Sequence, residues 1–469
     1  MLQKGKVNIV LDLYYGSSGK GQICAKLADE FKPEILIANH STSASHTVIE
    51  DEHNFVFKAL PSASFLCKVR PEYKPTILLA SSSGFEIEQL YKEVEYTGTQ
   101  GFVYIHPTAV IIEQKHKNLE AGLNEDGTSK DGENGTIHLG STMSGQSYAF
   151  ADKLTRKKGY KLAKDYADEF AGRGIIVVSS SWAFQKQLNE LLSSGATALA
   201  EMPQGFPLSI DHGPEYPYST FRNVTPVQLM ADLGLNQYMI GAVVANVRSL
   251  PIRVSNRFIN NDMSQVKLTV QTDPTSKVAG IKTPEECGLS YSDVNSVAYD
   301  VSLGKTMKVG KWYISNIEGM LGVSGPFESD MEEVSWRDLS AELTEKAGKD
   351  INIEEITTLT KLHRRVAKIK NGGSISVSML EKAIVTFAPT HLSLTFLNYI
   401  DPNIVCDETF EHSTIIQDWF MSALDDIAEA VEQANTSAPI PQISIVQYGP
   451  ELKHVRVLVP TVKEAHSEE

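Results

Sequence analysis

Apolar and polar positions along the chain follow two periods. Residues 7–13 (VNIVLDL) form a β-branched, mostly apolar run that stops at Gly16, after which Ile23, Leu27 and Phe31 recur at a spacing of four. This predicts a buried strand, a glycine turn and an amphipathic helix. Further apolar runs of strand length lie at 35–38, 76–80, 102–106, 174–178, 196–201, 239–247 and 443–448, with helix-like segments at 85–96 and 418–435. Alternation of this kind predicts an α/β fold: a large, mostly parallel central sheet with flanking helices. Residues 124–135 (NEDGTSKDGENG) are polar and glycine-rich, and 260–330 carry weaker, mixed strand signals. The expectation is a single domain over 1–460 with inserted subdomains near 115–135 and 260–345, and a flexible tail at 461–469.

Composition narrows the partners. Over 469 residues, 43 Lys and Arg face 58 Asp and Glu, a net charge of −15. A surface that tracks nucleic acid or an anionic membrane needs clustered cations, so neither is an expected partner. A small phosphorylated ligand stays compatible, because a few backbone amides and one lysine can hold it. Cys24, Cys67, Cys287 and Cys406 are far apart, with no CxxC pair, and read as ordinary reduced cysteines. The N-terminal stretch lacks a signal-peptide core, and no run approaches ~18 apolar residues. A soluble, cytoplasmic protein is expected.

Gly16-Ser17-Ser18-Gly19-Lys20-Gly21-Gln22, between a strand and a helix, has glycines for close backbone approach, a helix N-terminus and a lysine charge. It is a candidate phosphate loop. It is two residues shorter than the Walker spacing and has Gly21 where a Ser or Thr would follow the lysine, so an ordinary strand-to-helix turn remains the alternative.

Further patterns occur in a fixed order: NHSTSASHT at 39–47, Pro61-Ser62, LGST at 139–142, DKLTR at 152–156, EMPQGFPLSIDHGPEYPYST at 201–220, TTLTKLHRRV at 357–366 and YGP at 448–450. Together they resemble the adenylosuccinate synthetase family, and TTxTKxxRRV and YPYxT look closest to its shorter archaeal branch. The resemblance implies a P-loop-related fold and a two-step, Mg²⁺-dependent reaction. The 6-oxygen of a purine nucleoside monophosphate attacks the γ-phosphate of a nucleoside triphosphate, and the amine of L-aspartate then displaces that phosphate. It makes Lys20, His46 and the loop position Ser17 catalytic, with Gly16, Ser18, Gly19, Gly21, Gln22, Thr47, Asn398, Gly449 and Pro450 on the nucleoside triphosphate. Ser17 and the Ser45 carbonyl are nominated for the metal. Ser17, Ser43, Thr142, Gln204 and Thr220 are nominated for the monophosphate, joined by Arg156 from a neighbouring subunit, so a homodimer is expected. Thr358, Thr360, Arg364 and Arg365 are nominated for aspartate, though the two arginines read equally as a solvated charged pair from the residues alone. Asp211-His212-Gly213 reads as loop architecture and not as part of a hydrolytic triad.

Three departures from the family pattern redirect the expectation. The family loop reads GDEGKG and this chain reads GSSGKG, which places Ser17 where the catalytic aspartate belongs. A hydroxyl is a far poorer base and metal ligand than a carboxylate. The same serine marks a phage branch of the family that joins aspartate to dGMP on the route to diaminopurine DNA. That branch implies 2-amino-deoxyadenylosuccinate as product and, for a phage-encoded chain, the host cytoplasm as location. The proton acceptor stays open between substrate phosphate, a magnesium-bound hydroxide and Ser17 relaying to Ser18. Asn398 falls on the family's guanine-reading aspartate, and an amide pairs with an adenine edge, so ATP or dATP is expected over GTP. Leu362 replaces an arginine of the aspartate loop, which leaves the amine donor less fixed. The alternatives are an ordinary synthetase using IMP and GTP, and a non-catalytic purine-nucleotide-binding homologue.

Overall fold

The computed structural model describes residues 1–128, 139–259, 263–275, 278–351 and 364–458. Its centre is a ten-stranded sheet of β1 (Val7–Asp12), β2 (Ile35–Ala38), β3 (Thr76–Leu79), β4 (Val103–Ile105), β5 (Ile175–Val177), β6 (Ala198–Gly205), β7 (Ile240–Arg248), β8 (His391–Thr395), β9 (Gln442–Gln447) and β10 (Val455–Val457). The spatial order is β10-β9-β8-β7-β1-β6-β2-β3-β4-β5. Every neighbouring pair runs parallel except β9 and β10.

All eight apolar runs of the sequence become strands of this sheet, and the near-continuous burial of β1 is what a parallel sheet covered on both faces demands. Successive side chains of β1 enter different cores. Val10 packs with Ile23 and Leu27 of helix α1 (Lys20–Phe31), whereas Ile9 and Leu11 pack with Phe184 and Leu188 of the helix Ser181–Ser193. Over β7, β8 and β9 the helices Val377–Phe387 and Thr414–Ala434 close a third core around Leu392, Leu394, Met379 and Ile427. The strands β8 and β10 were not anticipated. In β8 the fully buried Ser393 and Thr395 interrupt the apolar run, so its burial leaves no apolar signature.

Within the region expected to hold the larger insertion, Lys267–Gln271, Gly280–Lys282, Met307–Val309 and Trp312–Glu318 form a four-stranded antiparallel sheet. The helix Tyr291–Ser302 packs on it around Leu268, Val270, Val294 and Ile314. Near 115–135 the helix Gln114–Glu120 is seen, while 129–138 and the tail lie outside the described residues. Among the described residues no helix is long and apolar enough to cross a membrane.

At the middle of the sheet β1 lies between β6 and β7, and the carboxyl ends of these three strands open the crevice where ligands of open α/β sheets bind. The crossing there is tight: a Cβ at Gly205 would stand 1.6 Å from the Tyr14 carbonyl oxygen. Gly205→Ala is therefore expected to destabilise the fold by about 3 kcal/mol or to prevent soluble expression. Chemical denaturation of the variant against the parent checks this.

Candidate active site

The chain leaves β1 at Asp12 and turns back through Gly16 (φ 92°), Ser17 (φ 53°) and Gly19 (φ 81°) before α1 begins at Lys20. Three left-handed positions in four residues aim the loop's backbone outward, and Ser17 holds one of them without a glycine's freedom. Close packing fixes the loop from outside. A Cβ on Gly19 would meet Gln447 Oε1 at 2.6 Å and the Phe396 ring at 3.3 Å, and one on Gly21 would meet the Thr47 carbonyl at 2.6 Å. Gln22 donates to the carbonyls of Ile49 (3.0 Å) and Pro450. Arg248, fully buried, donates from Nη1 to the Ser17 carbonyl (2.9 Å) while its guanidinium lies 3.7 Å over the Phe396 ring.

Beneath the loop, the fully buried Asp12 carboxylate pairs with Lys20 and accepts the Ser18 hydroxyl. Lys20 also donates to the Gln204 carbonyl at 3.0 Å. The lysine of the candidate phosphate loop is thus held inside the protein by a counter-charge on the central strand.

Beside this pair lies a second buried group. His46 Nδ1 stands 2.6 Å from Glu201 Oε1, and His40 Nε2 stands 3.8 Å from Glu201 Oε2. The two imidazoles meet edge to face at 4.4 Å. Glu201 Oε2 also accepts the Ser62 backbone N–H and hydroxyl, both at 2.7 Å. Burial works against the Glu201 charge, but His46, His40 and Ser62 overcome it and hold the carboxyl down at about 2. Burial, reinforced by His46, drives His40 down to about 3, so that ring is neutral.

A cavity of about 270 Å³ opens above these groups, lined by Tyr15, Ser43, Thr142, Gln146, Gln204, Thr220 and Arg253 among others. An adjoining recess shares Tyr15, Ser43, Thr142, Gln204 and Arg253 and adds Gly16, Ser17, Lys20, Ser45, His46 and Arg364. Gln204, at φ 63°, donates to Ser43 Oγ (2.6 Å), which passes a hydrogen bond to Gln146 (2.6 Å). Arg253 stacks 4.2 Å over Tyr15, and burial lowers it to about 10. Thr220 Oγ1 and Asn398 Oδ1 are buried without a hydrogen-bond partner.

The structure thus brings together Ser17, Lys20, Ser43, Ser45, His46, Thr142, Gln204, Thr220 and Arg364. Gln22, Thr47, Gly449 and Pro450 lie around the far side of the loop, where a Cβ on Gly449 would meet His454 at 2.5 Å. Arg156 sits exposed at the C-cap of the helix Gln146–Thr155, away from its own chain's cavity lining. Thr358 and Thr360, with Leu362, lie outside the described residues. Arg365 departs from the expectation that it meets aspartate. It is 2% exposed, paired with Glu333 (2.5 Å) and donating to Ser324 and Gly325 (2.7 Å), so its fork is spent inside the protein. Alternation along the strand Arg365–Ile369 is the reason, since neighbouring side chains point to opposite faces. Asp12, His40, Glu201, Tyr15 and Arg253 were missed. The available signal was a lone acid inside an apolar strand, as in VNIVLDL and ATALAE, because a carboxylate buried there needs a partner.

A sequence profile of the family described as adenylosuccinate synthetase matches residues 9–173, the stretch that holds the loop, the Asp12–Lys20 pair and both histidines. Over that stretch the chain is similar to the adenylosuccinate synthetase family. It is 32% identical over 253 residues to the N6-succino-2-amino-2'-deoxyadenylate synthase of Cyanophage S-2L, an alignment covering 53% of this chain and 64% of that protein. With the synthase of the same name from Salmonella phage PMBT28 it shares 25% identity over 464 residues, 96% of this chain and 97% of the relative. Among solved structures, the cyanophage S-2L succinoaminodeoxyadenylate synthetase bound to dGMP and dATP has the same fold. The TM-score is 0.62 at 24% identity, over 97% of this chain and 95% of that one.

The neutral His40 of this site carries a pH consequence. Its folded-state value lies below the ordinary 6.5, so as the pH falls the unfolded chain takes up this proton first. The stability it supports is complete above about pH 6.5 and is lost as the pH falls from there towards 3. In His40→Gln, stability measured by denaturant titration between pH 7 and 4 is expected to fall less steeply than in the parent.

Proposed function

We propose that this protein is a C–N bond-forming ligase that joins L-aspartate to the 6-position of dGMP, with ATP or dATP as the phosphoryl donor and 2-amino-deoxyadenylosuccinate as product. The observation that carries this reading is the chemistry of the recess. Its described lining contains Ser17, Lys20, His46, Arg253 and Arg364 and no carboxylate. A purine bearing a 2-amino group beside N1 meets a short hydroxyl at Ser17 where the family places an aspartate, so the extra substituent is accommodated sterically. The names of the phage relatives support the same substrate class.

Each residue then has a task. Lys20 and the loop amides of Gly19 to Gln22 hold the triphosphate, where positioning and charge neutralisation do most of the work of phosphoryl transfer. His46 faces the reacting phosphate. Ser43, Thr142, Gln204 and Thr220 orient the monophosphate, with Arg156 of a second copy completing the phosphate site, and Arg364 receives a carboxylate of aspartate. Asn398, with its unpartnered Oδ1, offers an acceptor to the adenine 6-amino group. The donor set suits a hard cation that binds mainly through phosphate oxygens: Ser17 and Ser45 are both exposed at the recess and offer neutral oxygens. Mg²⁺ held there supplies charge neutralisation of the triphosphate.

Incubating the protein with Mg²⁺, L-aspartate and either ATP or GTP, with dGMP, GMP and IMP offered separately, tests the reading by mass spectrometry. The expected result is a mass of nucleotide plus aspartate minus water from dGMP with ATP. Ser17→Asp is expected to shift the preference towards IMP by at least about tenfold. An adduct from IMP alone would overturn the substrate assignment, and no adduct from any purine would overturn the ligase.

A further inference from the structure

We propose that Glu201 is the positioning residue for His46, fixing its tautomer and ring orientation so that Nε2 alone faces the recess. Four observations converge on this. Glu201 and His46 are 1% and 7% exposed, and His46 Nδ1 stands 2.6 Å from Glu201 Oε1, too close for a carboxylate oxygen and an imidazole lone pair unless Nδ1 carries the proton between them. Nδ1 and Glu201 Oε1 are both buried and have no other partner, and His46 lines the recess beside Ser17 and Lys20. Glu201 is itself immobilised by two donors from Ser62, leaving one oxygen for the histidine. His40, neutral and fully buried, packs edge to face at 4.4 Å and blocks rotation of the His46 ring.

The same three side chains could instead be read as a transition-metal site, since one ligand atom from each of His40, His46 and Glu201 lies within 4.8 Å of the others. The 2.6 Å contact decides against it. Two ligands about 2.1 Å from a tetrahedral zinc stand about 3.4 Å apart, and these stand at the distance of a shared proton. A carboxylate behind a histidine supplies a fixed countercharge for a ring that carries positive charge while phosphate charge develops in front of it. Glu201 reaches this place because β6 pairs with β1 in a register that sets it opposite Val10, two residues before Asp12.

The kinetic part of this inference rests on the proposed ligase reading, and the spectroscopic part does not. Glu201→Gln keeps the shape and removes the charge. Its expected effect is a fall in kcat of at least about 100-fold with KM for dGMP and ATP changed less than about threefold, and partial recovery in Glu201→Asp. In parallel, a low-field imidazole N–H proton signal, assigned to His46 by its loss in His46→Asn, is expected in the parent and absent in Glu201→Gln. If Glu201→Gln does not fold, Ser62→Ala reads the same link by freeing one side of the carboxylate, with kcat expected to drop about tenfold at unchanged KM. Parent-like kcat together with a persistent low-field signal in the substituted protein overturns the proposal, as does stoichiometric zinc binding that requires all three side chains. A parent that forms no adduct sinks the ligase reading, and the low-field signal still decides whether Glu201 holds Nδ1.

Discussion

The ion pair between Asp12 and Lys20 is the constraint on which the site depends. Both groups are almost wholly removed from water, and a lysine in such a place is tenable only with a counter-charge and hydrogen bonds around it. Asp12 supplies the charge, and the Gln204 carbonyl supplies an acceptor. Because Asp12 terminates a strand hydrogen-bonded on both sides, the pair anchors the glycine-rich loop to the middle of the sheet. The left-handed turn through Gly16, Ser17 and Gly19 follows from this, since the chain must fold back for Lys20 to return over Asp12. Under the proposed reading an arriving triphosphate would offer the lysine a second anion, so binding would exchange one partner for another and not begin from a bare cation.

Much of the fold was legible because buried parallel strands write themselves as apolar runs, and eight of them were read at nearly their observed bounds. The strand β8 escaped because the polar Ser393 and Thr395 sit in its buried positions. The loop and the residues around the recess were legible as ordered motifs, with Ser43, Thr142, Gln204 and Thr220 meeting at one cavity from four separate stretches. What sequence reading missed are the groups behind those that line the cavity. Glu201 and Asp12 look like flaws in strands until the register brings a partner from far along the chain. The adjacent arginines at 364 and 365 looked equivalent, yet strand alternation sends one to the recess and the other into a pair with Glu333.

Local charge runs opposite to the whole. The chain carries a net −15, yet the recess is lined by Lys20, Arg253 and Arg364 with no carboxylate among its described residues. Burial lowers both Arg253 and Arg364, an energetic cost that an anionic ligand would offset. The acids sit one layer down, at Asp12 and Glu201, where they pair with Lys20 and His46. Such layering leaves the recess lined by cations within a chain that is acidic as a whole.

Arg248 gives this arrangement an evolutionary consequence. One guanidinium holds the Ser17 carbonyl on one side and the Phe396 ring on the other, joining the loop that would meet the accepting purine to the segment that would meet the donor base. Residues sharing one partner do not contribute independent free energies. Replacing Phe396 would therefore loosen the guanidinium that holds the Ser17 carbonyl, so the segment after β8 and the glycine-rich loop do not vary independently.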